Sequence, residues 1–248
     1  MPRFAARKSR ASWAEITAEP RANRRVPPDF SAPLGRPAAL RCLHPCSNPS
    51  AVYSGFMSQI TSDPPRRHRL SVADYYHMAE AGILGPDERV ELVDGEIIDM
   101  PPPGSLHAGT VDLLLERFRS AVGNAAIVRV QNPIDLGAFS EPQPDITLLR
   151  PRADYYRSSH PDCDDVLLVV EVADSSLRFD RDTKVGLYAR HGIHEVWLVD
   201  VRAKQLTRYR NPAQDTYTGI YRPDINASVE IEKLPGIAVD LMGLFAGA

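Results

Sequence analysis

The 248-residue chain reads as an α/β protein: a mixed β-sheet core flanked by helices, closing in an antiparallel C-terminal meander. Three observations predict this. Val166 to Val172 and Glu195 to Val201 are nearly unbroken apolar runs, as in strands covered on both faces, and the helical segment Asp182 to His191 between them marks a crossover unit. Asp94-Gly95, set between two short strand patterns, is the strongest short hairpin signal, because a tight turn needs positive φ at both central positions. Beyond Asp200 the texture alternates, with turn residues between the runs.

Taken in order, residues 1 to 68 are rich in Pro, Arg, Ser and Ala without sustained periodicity, and are expected to be a disordered basic extension. Its alternatives are a basic tail that touches nucleic acid and a segment upstream of the true start, for which Met57 is the candidate. Residues 69 to 248 form the expected folded domain. Ser71 caps a helix through Val72, Tyr75, Tyr76, Met78 and Ala79, with Asp74 at the capping-box position and Gly82 near the stop. The strands Arg89 to Val93 and Glu96 to Met100 follow, the second ended by Pro101 to Pro103, which cannot donate to a ladder. His107 to Val122 carries Val111, Leu114, Leu115, Phe118 and Val122 at helical spacing.

Ala126 to Val130 and Ile134 to Leu136 read as short strands. Glu141-Pro142-Gln143-Pro144 then forces an extended approach to Asp145 and the strand Ile146 to Leu149. Residues 150 to 165 are expected to be a mobile polar loop with at most a helical turn. Gly192 ends the following helix. Gln205 to Tyr209, Tyr217 to Tyr221 and Val229 to Ile231 form the meander at the sheet's edge, and Ile237 to Phe245 is apolar enough to dock back.

Composition narrows the function classes. Hydrophobic residues at 43% and charged residues at 25% are those of an ordinary soluble globular protein. No run approaches the roughly 18 apolar residues of a membrane span, and no apolar block marks a secretory leader, so no membrane partner and a cytoplasmic location are expected. Cys42, Cys46 and Cys163 make an odd count without framework spacing. Cys42-Leu43-His44-Pro45-Cys46 lacks the second ligand pair that a zinc site requires. Residues 1 to 56 hold nine basic side chains against three acidic ones, a net of +6, so the remainder carries −9 of the total −3. An acidic body excludes a binder that holds nucleic acid through a broad basic face.

The chemistry concentrates between Pro144 and Lys184. Asp145 stands at the mouth of one apolar strand, Glu171 inside another, and Lys184 on the helix that follows. Asp145 serves equally well as a turn residue after proline. Glu171 is harder to explain blandly, since carboxylates are almost never fully buried unless paired or metal-bound. Lys184 could form an ordinary surface pair with Asp180, worth about 0.3 to 0.5 kcal/mol. Asp180, Lys184 and Tyr188 share one helical face. It is the order acid, acid, lysine on strand, strand and following helix that points to a divalent metal and a phosphodiester.

These residues resemble a known family. Pro144-Asp145 followed by Glu171-Val172-Ala173 looks like the motif of the PD-(D/E)XK nuclease superfamily, the restriction-endonuclease-like fold. Glu91-Leu92-Val93-Asp94-Gly95-Glu96, Pro144-Asp145, Val170-Glu171-Val172, Asp180 through Lys184 and Gly192 to Trp197, in that order, resemble the bacterial Uma family of proposed endonucleases over roughly Leu70 to Leu241. The superfamily places lysine two residues after the glutamate, where this chain has Ala173; the Uma group carries it on the next helix, which Lys184 matches. Ala173-Asp174-Ser175-Ser176 stands where the group more often has a Ser-Pro turn, and Asp174 is expected to cap the helix.

The resemblance implies a Mg²⁺- or Mn²⁺-dependent endonuclease acting on DNA, with Asp145 and Glu171 as metal ligands and Lys184 orienting water or stabilising charge. Glu91 is implied as a further catalytic acid, its alternative being a solvent-facing hairpin residue. Gln131, His107 and Asp180 are implied as accessory groups, although His107 also suits an ordinary helix start. The opposing expectation is a catalytically inactive nucleic-acid-binding or assembly module on the same fold. A homodimer framing a groove between two sites is the expected assembly.

Overall fold

The computed structural model describes residues 66–246. The expectations for the basic extension up to residue 65, the Cys42–Cys46 zinc alternative and the Met57 start lie outside the described residues. Ser71 caps α1 (Val72–Glu80) as its sequence requires: its hydroxyl accepts from the Asp74 amide, and the Asp74 carboxylate accepts from the Ser71 amide. Val72, Tyr75 and Met78 half-bury one stripe of this surface helix, while Tyr76 and Ala79, expected in it, are exposed.

The hairpin of β1 (Val90–Val93) and β2 (Glu96–Asp99) turns at Asp94 and Gly95, whose φ values of 52° and 80° are those a tight hairpin turn demands. A Cβ on Gly95 would stand 2.6 Å from the Arg69 Cβ, so the turn needs glycine for space as well as for φ. The hairpin forms its own two-stranded sheet and is tied to the chain ahead of Asp145 by a bridge between Leu92 and Glu141.

A six-stranded sheet forms the centre, its strands in chain order: β3 (Ile127–Val130), β4 (Ile146–Leu149), β5 (Val166–Ala173), β6 (Glu195–Asp200), β7 (Gln205–Ala213) and β8 (Thr216–Tyr221). Only β5 and β6 run parallel, and the helical crossover expected between them is present. α2 (Ser105–Val122) covers one face, burying Val111, Leu114, Phe118 and Val122 against Leu168, Val170, Val172 and Trp197. Leu115, expected in that stripe, is only partly buried. The other face takes Val169, Ala173, Val196 and Leu198 against Val185, Leu187 and Tyr188. Because side chains alternate along a strand, Glu171 belongs to this second face.

Four expectations are corrected. Ile134 to Leu136 is no strand: only Asp135 makes an isolated bridge, to Asp162, because Gly137 at φ 86° turns the chain before a ladder can form. The loop at 150–165 is bound rather than mobile in construction. Asp154 accepts from Arg152, the Ser158 hydroxyl and the Tyr156 amide, and buried Tyr156 donates its hydroxyl to the Arg150 carbonyl. The third meander strand leaves the sheet: β9 (Ser228–Glu230) pairs instead with β10 (Ala238–Asp240), and Val229, Val239, Leu241 and Phe245 pack beneath α2. The crossover helix begins five residues before Asp182, as α3 (Leu177–Phe179), and continues through a π-turn at Asp180–Lys184 into α4 (Val185–Arg190).

Candidate active site

Strand register does most of the assembly. β4 and β5 are antiparallel with Ile146 opposite Val170, so the residue ahead of β4, Asp145, comes level with Glu171. The Val172 amide donates to Asp145 Oδ2 at 2.9 Å and fixes the carboxylate there. Glu171 points from the most apolar strand toward the crossover helix, where the Lys184 Nζ lies 3.2 Å from its Oε1 and the Tyr188 hydroxyl donates to the same oxygen at 2.5 Å. Its second oxygen takes no hydrogen bond among the described residues.

Lys184 is also 3.0 Å from Glu91 Oε2, which accepts from the Gln143 amide at 3.0 Å. Glu91 is therefore not a solvent-facing hairpin residue: it is 2% exposed, and its strand is anchored so that it reaches the lysine. The surface-pair alternative for Lys184 fails on the same ground, since that residue is 5% exposed and held between two carboxylates. The π-turn makes this arrangement. The Val185 amide reaches back five residues to the Asp180 carbonyl, and the widened turn leaves both Asp180 and Lys184 buried on one side.

His107 Nε2 lies 3.1 Å from Asp145 Oδ2, and the Gln131 side-chain amide donates to Asp145 Oδ1 at 3.3 Å. Gln131 reaches this position from a left-handed backbone, φ 49°, immediately after β3. Asp180 accepts from the Ser176 hydroxyl at 2.5 Å. All seven side chains singled out in the sequence line one cavity of about 300 Å³, walled on its far side by Met100 to Pro103. Asp174 lines it too, but does not cap the helix: it accepts from the Arg202 guanidinium, and Ser176 holds the cap position.

The electrostatics follow from four of the six carboxylates in this lining, Glu91, Asp145, Glu171 and Asp180, and from the Lys184 ammonium. Burial pushes the Glu171 carboxyl up to about 8. Lys184 opposes that shift, while Asp180, Asp145 and Glu91 reinforce it. Asp180 is likewise raised, first by burial. Burial works to lower the Lys184 pKa, yet Glu171, Glu91 and Asp180 outweigh it and hold the ammonium well above its ordinary value. The hydrogen bond to Asp145 raises His107, against an opposing effect of burial. Lys184 is thus a permanent cation, and the surplus of carboxylate charge is what a divalent cation would neutralise.

Asp145 and Glu171 offer the hard oxygen donors that Mg²⁺ accepts. Among the described residues, no group of three or more His, Cys, Asp and Glu side chains gathers as a metal cage. Mg²⁺ does not need one, because it binds through one or two carboxylates, retained waters and substrate phosphates. The donor set fits that mode.

Residues 72–241 match the model of the Uma2 family, described as "Putative restriction endonuclease". The chain belongs to the Uma2 family. In fold it is similar to the crystal structure of a "putative nuclease belonging to DUF820" from Anabaena variabilis, with a TM-score of 0.55 over 71% of this chain and 97% of that one. Identity over that match is 16%, so the likeness speaks for the restriction-endonuclease-like fold. No curated protein matches the chain. The Uma2 match spans Glu91, Asp145, Glu171 and Lys184.

Sequence reasoning missed two contributors. The sequence puts Tyr188 on the Asp180–Lys184 face without a role, and its i+4 spacing from Lys184 is the signal that points to one. Gln143 was read only as part of an extended approach, and its amide contact to Glu91 depends on tertiary packing that no local pattern encodes.

Proposed function

We propose that this Uma2 protein is a Mg²⁺- or Mn²⁺-dependent endonuclease that hydrolyses phosphodiester bonds of DNA. The observation that carries the proposal is Lys184 clamped between Glu91 and Glu171 beside Asp145, at the wall of one cavity. A module that had shed its chemistry would have no use for so costly a group of buried charges.

Asp145 and Glu171 would hold the divalent ion, which when bound polarises a phosphoryl oxygen and offsets its charge. The Val172 amide and the Gln131 and His107 side chains keep Asp145 turned toward Glu171. The Lys184 ammonium has three N–H donors; two are taken by Glu91 and Glu171, and the third is free to orient the attacking water or meet a phosphoryl oxygen. Its raised pKa rules out proton abstraction and suits it to stabilising the charge that builds on phosphorus-bound oxygen. Tyr188 and Glu91 hold their partners in place rather than touching substrate. The homodimer expected from the sequence belongs to the same proposal, as a pair of sites for two strands, and the mass of the protein in solution tests it.

Closed-circular DNA tests the endonuclease reading directly, because a circle offers no end to an exonuclease. Mg²⁺ or Mn²⁺ should convert it to nicked and linear forms, and EDTA should abolish the conversion. Circles left intact under both metals, across salt concentrations, would count against the proposal.

A further inference from the structure

Beside the outer edge of β3 runs a second, open cleft of about 820 Å³, between the C-terminal end of α2 and the loop at 151–155. Its polar lining is Arg119, Arg129, Arg152, Asn124, Asn132 and Tyr155, with no Asp or Glu among the lining residues. In a chain whose remainder beyond residue 56 carries −9, a wall with three arginines and no acid is a concentrated exception.

The three cations are not equally engaged. Arg152 is spent on Asp154 at 2.6 Å and stacks on Tyr156 at 4.4 Å. Arg119 is exposed, and its side chain has no partner among the described residues. Arg129 donates from Nη2 to Asn132 Oδ1 at 3.0 Å, but its Nη1 is shielded from solvent without any hydrogen-bond partner. Burial lowers the pKa of this guanidinium, with no carboxylate beside it to compensate. A buried donor left unmade costs about 1–3 kcal/mol, so the site is built for an acceptor that the free fold does not supply. The carbonyls ending α2 oppose an anion here, and Arg119, on that last turn, counters them.

One chain segment lines both the cleft and the candidate active site: Asn132 borders the cleft and Gln131 the cavity. Gln131, which bonds Asp145, lies two residues beyond Arg129 and one before Asn132, about 7 Å along the strand direction at 3.3 Å per residue. We propose that this cleft is a backbone-binding track, in which Arg119 and Arg129 engage phosphates of the DNA strand flanking the one held at Asp145 and Glu171. The identity of the anion rests on the nuclease reading; the cleft's cationic character does not. Arginine suits the task because its planar fork meets two phosphate oxygens at once.

The test is binding of a duplex DNA probe by fluorescence anisotropy in EDTA, over a series of salt concentrations, so that hydrolysis plays no part. Each phosphate contact contributes about 0.9 to the slope of log K against log salt. Arg119→Ala with Arg129→Ala should flatten that slope by about 2 and weaken binding at least tenfold at low salt. Arg129→Lys in the Arg119→Ala background should restore about one unit, which a purely structural role would not do. Arg222→Ala, exposed beyond the far edge strand β8, should leave the slope unchanged. An unaltered slope in the folded double variant overturns the track, as does a wild-type protein that does not bind the probe. A protein that binds with the predicted slopes yet never cleaves would keep the track and remove the nuclease reading.

Discussion

Glu171 is the residue whose environment departs furthest from water. Its carboxyl, pushed up to about 8 chiefly by burial, binds a proton in the fold at pH values where the unfolded chain has released it. A carboxyl with a raised folded pKa favours the fold fully below its unfolded value near 4.5, and that advantage is lost as pH rises through about 8. Asp180 and the buried Glu141, both raised first by burial, act in the same direction. Without divalent metal, the melting temperature should therefore fall between about pH 4.5 and 8, and Glu171→Gln should flatten much of that fall. A melting temperature that climbs across the window, with Glu171→Gln tracking wild type, would contradict the assignment of the buried charge.

At the scale of elements, the π-turn joining α3 to α4 carries Asp180 and Lys184, both buried, and sets the register of α4 relative to α3. Deleting exposed Asp182 should close the turn to α-helical register and rotate its two halves by about 100° relative to each other. The fold should survive, because Leu187 and Tyr188 stay seated under β5 and β6, while cleavage should drop to background. A deletion variant with wild-type activity would show that the widened turn has no part in the site.

The same region shows how far sequence reading reaches. Asp145, Glu171 and Lys184 were legible because each sits in a distinct local pattern, namely a Pro-bounded strand start, an apolar strand and a helix ended by Gly192. The hairpin was legible in full, since Asp94-Gly95 imposes its own geometry. The π-turn was not, because the i,i+4 spacing of Asp180 and Lys184 reads as ordinary α-helix and nothing local marks the extra residue. Nor was the pairing of β9 with β10, whose short alternating runs suit a meander equally well. Glu91 was marked by the family resemblance alone, because its place beside Lys184 depends on Glu141 and Gln143 clamping its strand.

Across the whole molecule, charges also join the layers away from the cavity. Glu195, fully buried at the start of β6, accepts from the Trp197 indole at 2.7 Å, from Arg208 and Arg210, and from the Glu232 amide at 2.8 Å. It thereby fastens the β9–β10 unit to the sheet. Glu195→Ala strands Arg208 in an apolar setting and should cost about 3–5 kcal/mol in denaturant unfolding, with DNA cleavage retained at temperatures where the variant is folded. A loss within about 0.5 kcal/mol of a neutral surface change would mean the cluster does not fasten the layers.

No helix among the described residues is long and apolar enough to cross a membrane. The end of β3 connects the linings of the cavity and the cationic cleft, through Gln131 in the first and Arg129 and Asn132 in the second. The claim on which this depends is that Asp145, Glu171 and Lys184 act as one site. The most direct measurement is the initial rate of Mn²⁺-supported DNA cleavage by wild type, Asp145→Asn, Glu171→Gln and Lys184→Met, each at a temperature where its circular dichroism is native. Each substitution should lower the rate by about 10²–10³-fold, the usual loss when a charge-stabilising group is removed; a folded variant of any of the three that cleaves at the wild-type rate would contradict the account.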